Sequence, residues 1–193
     1  MKITVMYLII SLWAIVYCSC NNGERKTNPE LNNSDILYKE TDVDGEAAIF
    51  MKNAARSGIM EVELGKLAQE KAQNERTKAF AKMMVTDHNR INTELEKLAL
   101  EKKILLFTMP RPPLVKHYEQ HVEEMQKLSG VEFDHHYIKM MAEEHQHDIE
   151  AFEKASRNRN PDVKKFASQK LPLLKAHLDS AKAIYASVNK KNQ

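Results

Sequence analysis

Long runs of apolar residues at helical spacing are the feature that most constrains how this chain folds. Between residues 44 and 188 the apolar side chains recur every three or four positions, which is the period of one face of an α-helix. Short stretches rich in Asn, Gly or Pro interrupt the pattern at residues 73–75, 105–113, 129–130 and 157–162. Because the whole sequence of 193 residues has only five Gly and six Pro, we expect an all-α fold.

The interruptions predict four long helices and a short one. The long helices are expected at about 44–73, 75–102, 132–156 and 161–188, with a short helix at about 114–128. Short connections join the first two and the last two long helices, whereas the middle connection is long. This order is typical of a ferritin-like four-helix bundle with one long crossover, which here carries the extra short helix.

The first twenty residues predict attachment to a membrane. Lys2 precedes an apolar run at 3–16, which has the length of a signal-peptide core and is short for a membrane span. The segment resembles a bacterial lipoprotein signal, in which residues 1–19 are removed and Cys20 is lipidated. An uncleaved N-terminal anchor is the alternative. Residues 20–43 are polar and aperiodic, which predicts a flexible tether before a bundle domain at 44–188.

Composition excludes several classes of function. Both cysteines, Cys18 and Cys20, lie in the N-terminal segment, so the bundle has no thiol ligand, disulfide or cysteine nucleophile. After residue 19 the chain has 28 basic residues (29 less Lys2) and 27 acidic ones, and a net charge of +1 gives no reason to expect nucleic acid. No phosphate-binding loop, dinucleotide motif or nucleophile–base pattern is present. The sequence therefore favours a protein that is not an enzyme, although it does not decide the question.

Polar side chains interrupt the apolar stripe of each long helix near its middle. On helical wheels the inward-facing ones are Glu61, His88, His145 and His177, one per helix. Asp87 and Asp148 lie at the edges of the stripes. Counting residues from the connecting turns puts Glu61 and His88 at the same height in an antiparallel pair. These positions predict a buried polar site at the waist of the bundle.

The residues leave two interpretations of this site open. Three imidazoles and a carboxylate suit a zinc, iron or copper ion, with Glu61, His88, His145 and His177 as ligands. Asp87 and Asp148 would then accept hydrogen bonds that fix the orientation of the imidazoles. Alternatively, the same side chains form a metal-free hydrogen-bonded network that only stabilises the fold.

The same residues resemble a known family. Its motifs are a glutamate before Leu-Gly, an Asp-His pair, Phe-Asp-x-x-Tyr followed by a mid-helix His, and Leu-Pro followed by a His. In this chain the first motif is Glu61 or Glu63 followed by Leu64 and Gly65, and the second is Asp87 and His88. The third is Phe133, Asp134 and Tyr137 followed by His145, and the fourth is Leu171 and Pro172 followed by His177. Over about residues 44–187 the chain thus resembles the bacterial envelope family called domain of unknown function 4142.

The resemblance implies a ferritin-like bundle, and from it we also expect the protein, lipid-anchored through Cys20, to lie at the outer membrane facing the periplasm. The resemblance supplies no activity. Di-iron members of the ferritin superfamily carry Glu-x-x-His motifs, but Val85, Ala142 and Leu174 occupy the positions three before His88, His145 and His177. A carboxylate-bridged di-iron oxidase is therefore not expected.

The sequence thus supports two main hypotheses about function, and a third, an enzyme that uses the same site with an open coordination position, requires a water-accessible channel. In the first, a lipid-anchored envelope protein binds a transition metal in the core of its bundle and serves metal handling or stress protection. In the second, a non-catalytic bundle binds an envelope partner through its outer face, and the inner polar residues are purely structural. The membrane is the partner that both hypotheses require, and the identity of a protein partner is left open.

Overall fold

The computed structural model describes residues 43–106 and 113–190, and this part of the chain contains five helices. They are α1 (Gly45–Lys71), α2 (Glu75–Glu101), α3 (Pro113–Lys127), α4 (Gly130–Ala155) and α5 (Pro161–Lys190). Helix α1 pairs with α2 and α4 pairs with α5, while α1 also packs on α4 and α2 on α5. The prediction of an all-α, ferritin-like four-helix bundle with a short helix in its long crossover is confirmed.

The predicted signal peptide, Cys20 and all of the tether except Val43 lie outside the described residues, so their assignment stays a prediction. None of the helices that the structure describes has the length and hydropathy needed to cross a membrane.

The helix starts follow local hydrogen bonding. A side-chain oxygen of Asp44 accepts the backbone N–H of Ala47 at 2.7 Å, and a side-chain oxygen of Asn74 accepts that of Arg76 at 2.9 Å. Helix α4 begins at Gly130, two residues earlier than predicted. The φ angle of Gly130 is 63°, which glycine adopts at little cost, so the chain can turn sharply between α3 and α4.

The two hairpins are joined at one end by a buried carboxylate. Asp134 at the start of α4 accepts the backbone N–H groups of Gln73 and Asn74 at 3.2 and 2.9 Å. These N–H groups lie in the turn between α1 and α2. Because Asp134 is only 2% exposed, the contact satisfies donors that would otherwise be orphaned, and it fixes α4 against the first hairpin.

The apolar core consists of two clusters that follow each other along the bundle. One cluster takes residues 47–55 of α1, 91–99 of α2, 149–155 of α4 and 163–178 of α5. The other takes residues 60–72, 80–84, 133–141 and 181–188 of the same helices. Polar side chains lie where the two clusters meet. Since both sides of this level are apolar, an unpaired polar group there would be costly.

Helices α1 and α2 approach each other closely at Gly65. A Cβ atom at this position would lie 3.2 Å from the backbone oxygen of Ala81 and 2.8 Å from Cγ2 of Val85. We expect Gly65→Ala to lower the free energy of unfolding by about 1 to 3 kcal/mol, because the two helices must separate to make room. Urea denaturation followed by circular dichroism measures this change.

Gly45→Ala is the matched control for that experiment. Nothing lies within 4 Å of a Cβ atom at Gly45, which is the first residue of α1. Its unfolding free energy should therefore stay within about 0.5 kcal/mol of the wild type. If Gly65→Ala changed the free energy of unfolding as little as Gly45→Ala, the result would contradict the close approach of α1 and α2 at Gly65.

Candidate metal centre

One polar side chain from each long helix reaches the level between the two apolar clusters. Glu61 and His145 are fully buried, and His177 and His88 are 1% and 2% exposed. The structure thus brings together all four inward-facing residues that the sequence singled out. The short helix α3 contributes none of these four side chains.

Glu61 lies between two imidazole rings. Its Oε2 atom is 2.7 Å from Nδ1 of His88, and its Oε1 atom is 3.2 Å from Nδ1 of His145. Neither oxygen has a hydrogen-bond partner among the described residues, so these contacts are close but poorly aligned. The carboxylate is positioned to interact with both rings from one side.

The protonation of His145 follows from its neighbours. Its Nδ1 atom is 2.9 Å from the backbone oxygen of Met141, one helical turn earlier. A carbonyl oxygen can only accept, so Nδ1 carries the proton of the neutral ring. The Nε2 atom of His145 therefore presents a lone pair.

The same argument applies to His177 with the ring reversed. Its Nε2 atom is 3.0 Å from Oδ2 of Asp87, which assigns the proton to Nε2 because a carboxylate accepts. The Nδ1 atom of His177 is then unprotonated, and it lies 3.2 Å from Nε2 of His145. In the neutral state two nitrogen lone pairs face each other across this distance.

His88 supplies a third nitrogen. Its Nδ1 atom faces Glu61, and its Nε2 atom is buried without a hydrogen-bond partner in the described part of the chain. One ring nitrogen from each of His88, His145 and His177 lies within 4.8 Å of the other two. Three buried imidazoles at this spacing can hold a metal ion.

Burial keeps these rings neutral. Desolvation lowers the pKa of His88 and of His145 to about 4, and it also lowers the pKa of His177, against the opposing effect of Asp87. Burial raises the pKa of Glu61 to about 7, although His145 opposes this shift. At neutral pH the imidazoles are therefore in the unprotonated form that binds metal ions.

The two aspartates predicted at the edge of the site have different surroundings. Asp87 lies at the rim, where it contacts both His177 and the side chain of Arg90, the latter at 3.2 Å. The Oδ2 atom of Asp148 accepts a hydrogen bond from the hydroxyl group of Ser57 at 2.9 Å. Burial raises the pKa of Asp148 well above its usual range.

The helical wheels missed Ser57 and the carbonyl group of Met141. Ser57 is 4% exposed and stands one turn before Glu61 on the same face of α1, which is a signal that spacing alone provides. The carbonyl group of Met141 has no such signal, because any residue four before a histidine offers the same atom.

Comparison with known proteins gives a family and a fold. Residues 38–184 match the family model described as "Domain of unknown function (DUF4142)". A crystal structure of a DUF305 fragment from Deinococcus radiodurans is similar in fold, with a TM-score of 0.67 and 12% sequence identity. The similarity covers 75% of this chain and 98% of that fragment. No curated protein matches the sequence.

Proposed function

This chain belongs to the DUF4142 family, and we propose that it is a lipid-anchored protein of the bacterial cell envelope that binds a transition metal. The ion is held in the bundle by the buried histidines and serves metal handling or protection against stress. The signal-like residues 1–19 and the position of Cys20 support the anchor, since two or more acyl chains hold a protein stably at a membrane. We place the bundle at the outer membrane, facing the periplasm.

The contact between His145 and His177 is the observation that carries the metal proposal. In the neutral tautomers assigned above, two nitrogen lone pairs 3.2 Å apart repel each other unless a proton or a metal ion lies between them. With metal–nitrogen bonds of 2.0–2.1 Å, tetrahedral coordination spaces two ligand nitrogens about 3.3 to 3.4 Å apart. The distance in the bundle therefore fits a pair of ligands on one ion.

Two of the proposed ligands are oriented by a hydrogen bond of the other ring nitrogen. In the proposed site Nε2 of His88, Nε2 of His145 and Nδ1 of His177 face the ion. The carbonyl group of Met141 binds the opposite nitrogen of His145 and Asp87 binds that of His177, while Oε2 of Glu61 lies 2.7 Å from Nδ1 of His88. Such partners fix the tautomer and raise the basicity of metal-binding imidazoles. The geometry thus favours Glu61 as a partner of the imidazoles, whereas the sequence alone suggested it as a ligand.

The donor set narrows the choice of metal. Three imidazole nitrogens without a thiolate suit zinc, iron or copper, while magnesium and calcium prefer oxygen ligands. The fixed, closely spaced rings favour tetrahedral coordination over a flexible site with many oxygen ligands.

Metal binding is expected to stabilise the fold. A ligand that binds the native state alone, at 100 times its Kd, adds about 2.7 kcal/mol to the free energy of unfolding. We expect zinc, iron or copper to produce this increase in the untagged, metal-stripped chain, as measured by denaturant unfolding. Magnesium at the same concentration should have no comparable effect. Equal stability with and without each transition metal would contradict the proposal and favour a purely structural network.

A further inference from the structure

One end of the bundle brings together the ends of all four long helices. An ion pair of Lys102 with Asp162 joins the end of α2 to the start of α5, and one of Lys154 with Glu46 joins the end of α4 to the start of α1. We call the surface formed by residues 44–46, 100–105 and 154–165 the tether end. The predicted tether joins the bundle here, because it leads directly into α1.

Two leucine side chains project from the tether end. Leu100 is 79% exposed and Leu105 is 59% exposed, which makes them the two most exposed large apolar side chains of the described residues. Exposed apolar side chains that lie together on a surface indicate a site of interaction.

The backbone at the end of α2 fixes the outward direction of these leucines. The N–H group of Ile104 bonds to the oxygen of Ala99 at 2.8 Å, and that of Lys103 bonds to the oxygen of Leu100 at 3.1 Å, which is a Schellman motif. Ile104 and Ala99 are buried, so their neighbours Leu105 and Leu100 face outward. Lys103 has a φ angle of 56° at the position where glycine is usual. The strained turn thus carries a cation between two exposed leucines.

The charges at the tether end are mainly positive. Two of its basic and two of its acidic residues form the ion pairs described above. Five exposed cations are then opposed by two carboxylates, and Glu153 beside this end pairs with Lys175. The seven basic residues are Lys102, Lys103, Lys154, Arg157, Arg159, Lys164 and Lys165, and the four acidic ones are Asp44, Glu46, Glu101 and Asp162. Since residues 20–193 carry a net charge of +1, this excess of three leaves the rest of the chain at −2.

Exposed leucines surrounded by cations fit the surface of an anionic lipid bilayer. Apolar side chains enter the boundary between headgroups and acyl chains, and basic side chains are attracted to anionic headgroups. Two leucines alone bind a bilayer weakly, but a lipid anchor at Cys20 keeps this end within about 25 Å of the membrane. The second contact is then intramolecular, so a weak interaction suffices.

We propose that the tether end is a membrane-docking surface, on which Leu100 and Leu105 enter an anionic phospholipid bilayer and the basic side chains lie among its headgroups. This inference rests on the proposed lipid anchor. Docking gives the bundle a fixed orientation, which a tether alone does not provide. His88 lies 14 residues before Lys102, so the histidine site is about 20 Å along α2 from the docked surface.

Quenching of tryptophan fluorescence by brominated phospholipids tests this proposal, because bromine quenches only at close range. Trp13, the one tryptophan of the chain, is replaced by phenylalanine in every variant. A new tryptophan is introduced by Leu105→Trp or, as the matched control, by Val131→Trp. Val131 is 49% exposed and lies in the first turn of α4, at the opposite end of the bundle.

The chain is extracted from membranes and reconstituted into vesicles of phosphatidylglycerol and phosphatidylethanolamine, with and without bromine on the acyl chains. We expect bromine to reduce the emission of Leu105→Trp about twofold, because docked apolar side chains lie about 5–10 Å deep in the interface. The emission of Val131→Trp should not change. Equal emission of Leu105→Trp in both kinds of vesicle, or equal quenching of the two variants, would overturn the docking surface.

Flotation of the vesicles separates this result from a failure of the anchor. A chain that does not float with the vesicles would contradict the anchor and, with it, the docking that rests on it. A chain that floats without quenching of Leu105→Trp would contradict the docking alone. A blue shift of that emission without quenching by bromine would indicate that a second copy covers the leucines, which also contradicts docking.

A second substitution tests the contribution of Leu100. In the Leu105→Trp background, Leu100→Asn should abolish most of the quenching, because it removes the other apolar side chain from the surface. Ile59→Asn is the control, since Ile59 is 39% exposed but lies midway along α1. Its quenching should equal that of Leu105→Trp alone. Equal quenching in the two double variants would contradict the role of Leu100 in docking.

Discussion

Replacing His145 by alanine is expected to abolish tight binding of transition metals. His145 lies at the centre of the site, since its Nε2 atom faces His177 while its Nδ1 atom is near both Met141 and Glu61. Loss of a hydrogen-bond partner of a ligand costs about 10- to 100-fold in metal affinity, so loss of the ligand itself should cost more than about 100-fold. Calorimetric titration of the metal-stripped protein measures the change.

His147→Ala is the matched control, because it removes an exposed histidine from the same helix two residues later. Its metal affinity should equal that of the wild type. Circular dichroism must show that both variants remain helical, so that lost binding reports on the site and not on unfolding. If His145→Ala bound zinc, iron or copper as tightly as His147→Ala, the site would not be the one described.

Replacing Glu61 by alanine should cause the second large effect, a loss of fold stability even without metal. Glu61 is fully buried, and its oxygens contact two imidazole rings. Removing one member of a buried polar set leaves the neighbouring polar groups without a partner, which costs about 1 to 3 kcal/mol. The free energy of unfolding of the metal-free variant, from urea denaturation, measures this loss.

Glu63→Ala provides the comparison, since it shortens an exposed glutamate on the same helix. A change on the surface away from special features is usually worth less than about 0.5 kcal/mol. Similar unfolding free energies for the Glu61 and Glu63 variants would show that Glu61 does not support the buried network.

Much of the fold could be predicted because it depends on local signals. The helix starts at Asp44, Asn74 and Asn160 follow from the hydrogen bonds of their side chains to the next turn. The long connection between α2 and α4 and the short connections within each hairpin left few possible arrangements of the four long helices. The contact of Asp134 with the turn at Gln73 and Asn74 was beyond sequence reasoning, because it joins residues 60 and 61 positions apart.

The candidate site was predictable in its membership but not in its chemistry. A helical period places Glu61, His88 and His145 on inward faces, which needs only the count of residues per turn. The period does not fix ring orientation, so it could not reveal that Glu61 faces Nδ1 atoms rather than the unprotonated nitrogens. The period also could not show that Asp87 contacts His177 whereas Asp148 bonds to Ser57, because these partners depend on which side of each helix meets its neighbour.

The central claim, that the buried histidines bind a transition metal, is tested most directly by the metal content of the untagged chain. The protein is purified without chelators or added metal and examined by elemental analysis beside a variant in which His88, His145 and His177 are replaced by leucine. The account predicts about one equivalent of zinc, iron or copper per wild-type chain and essentially none in the variant. Equal metal content in the two proteins, or none in the wild type even after incubation with each metal, would contradict it.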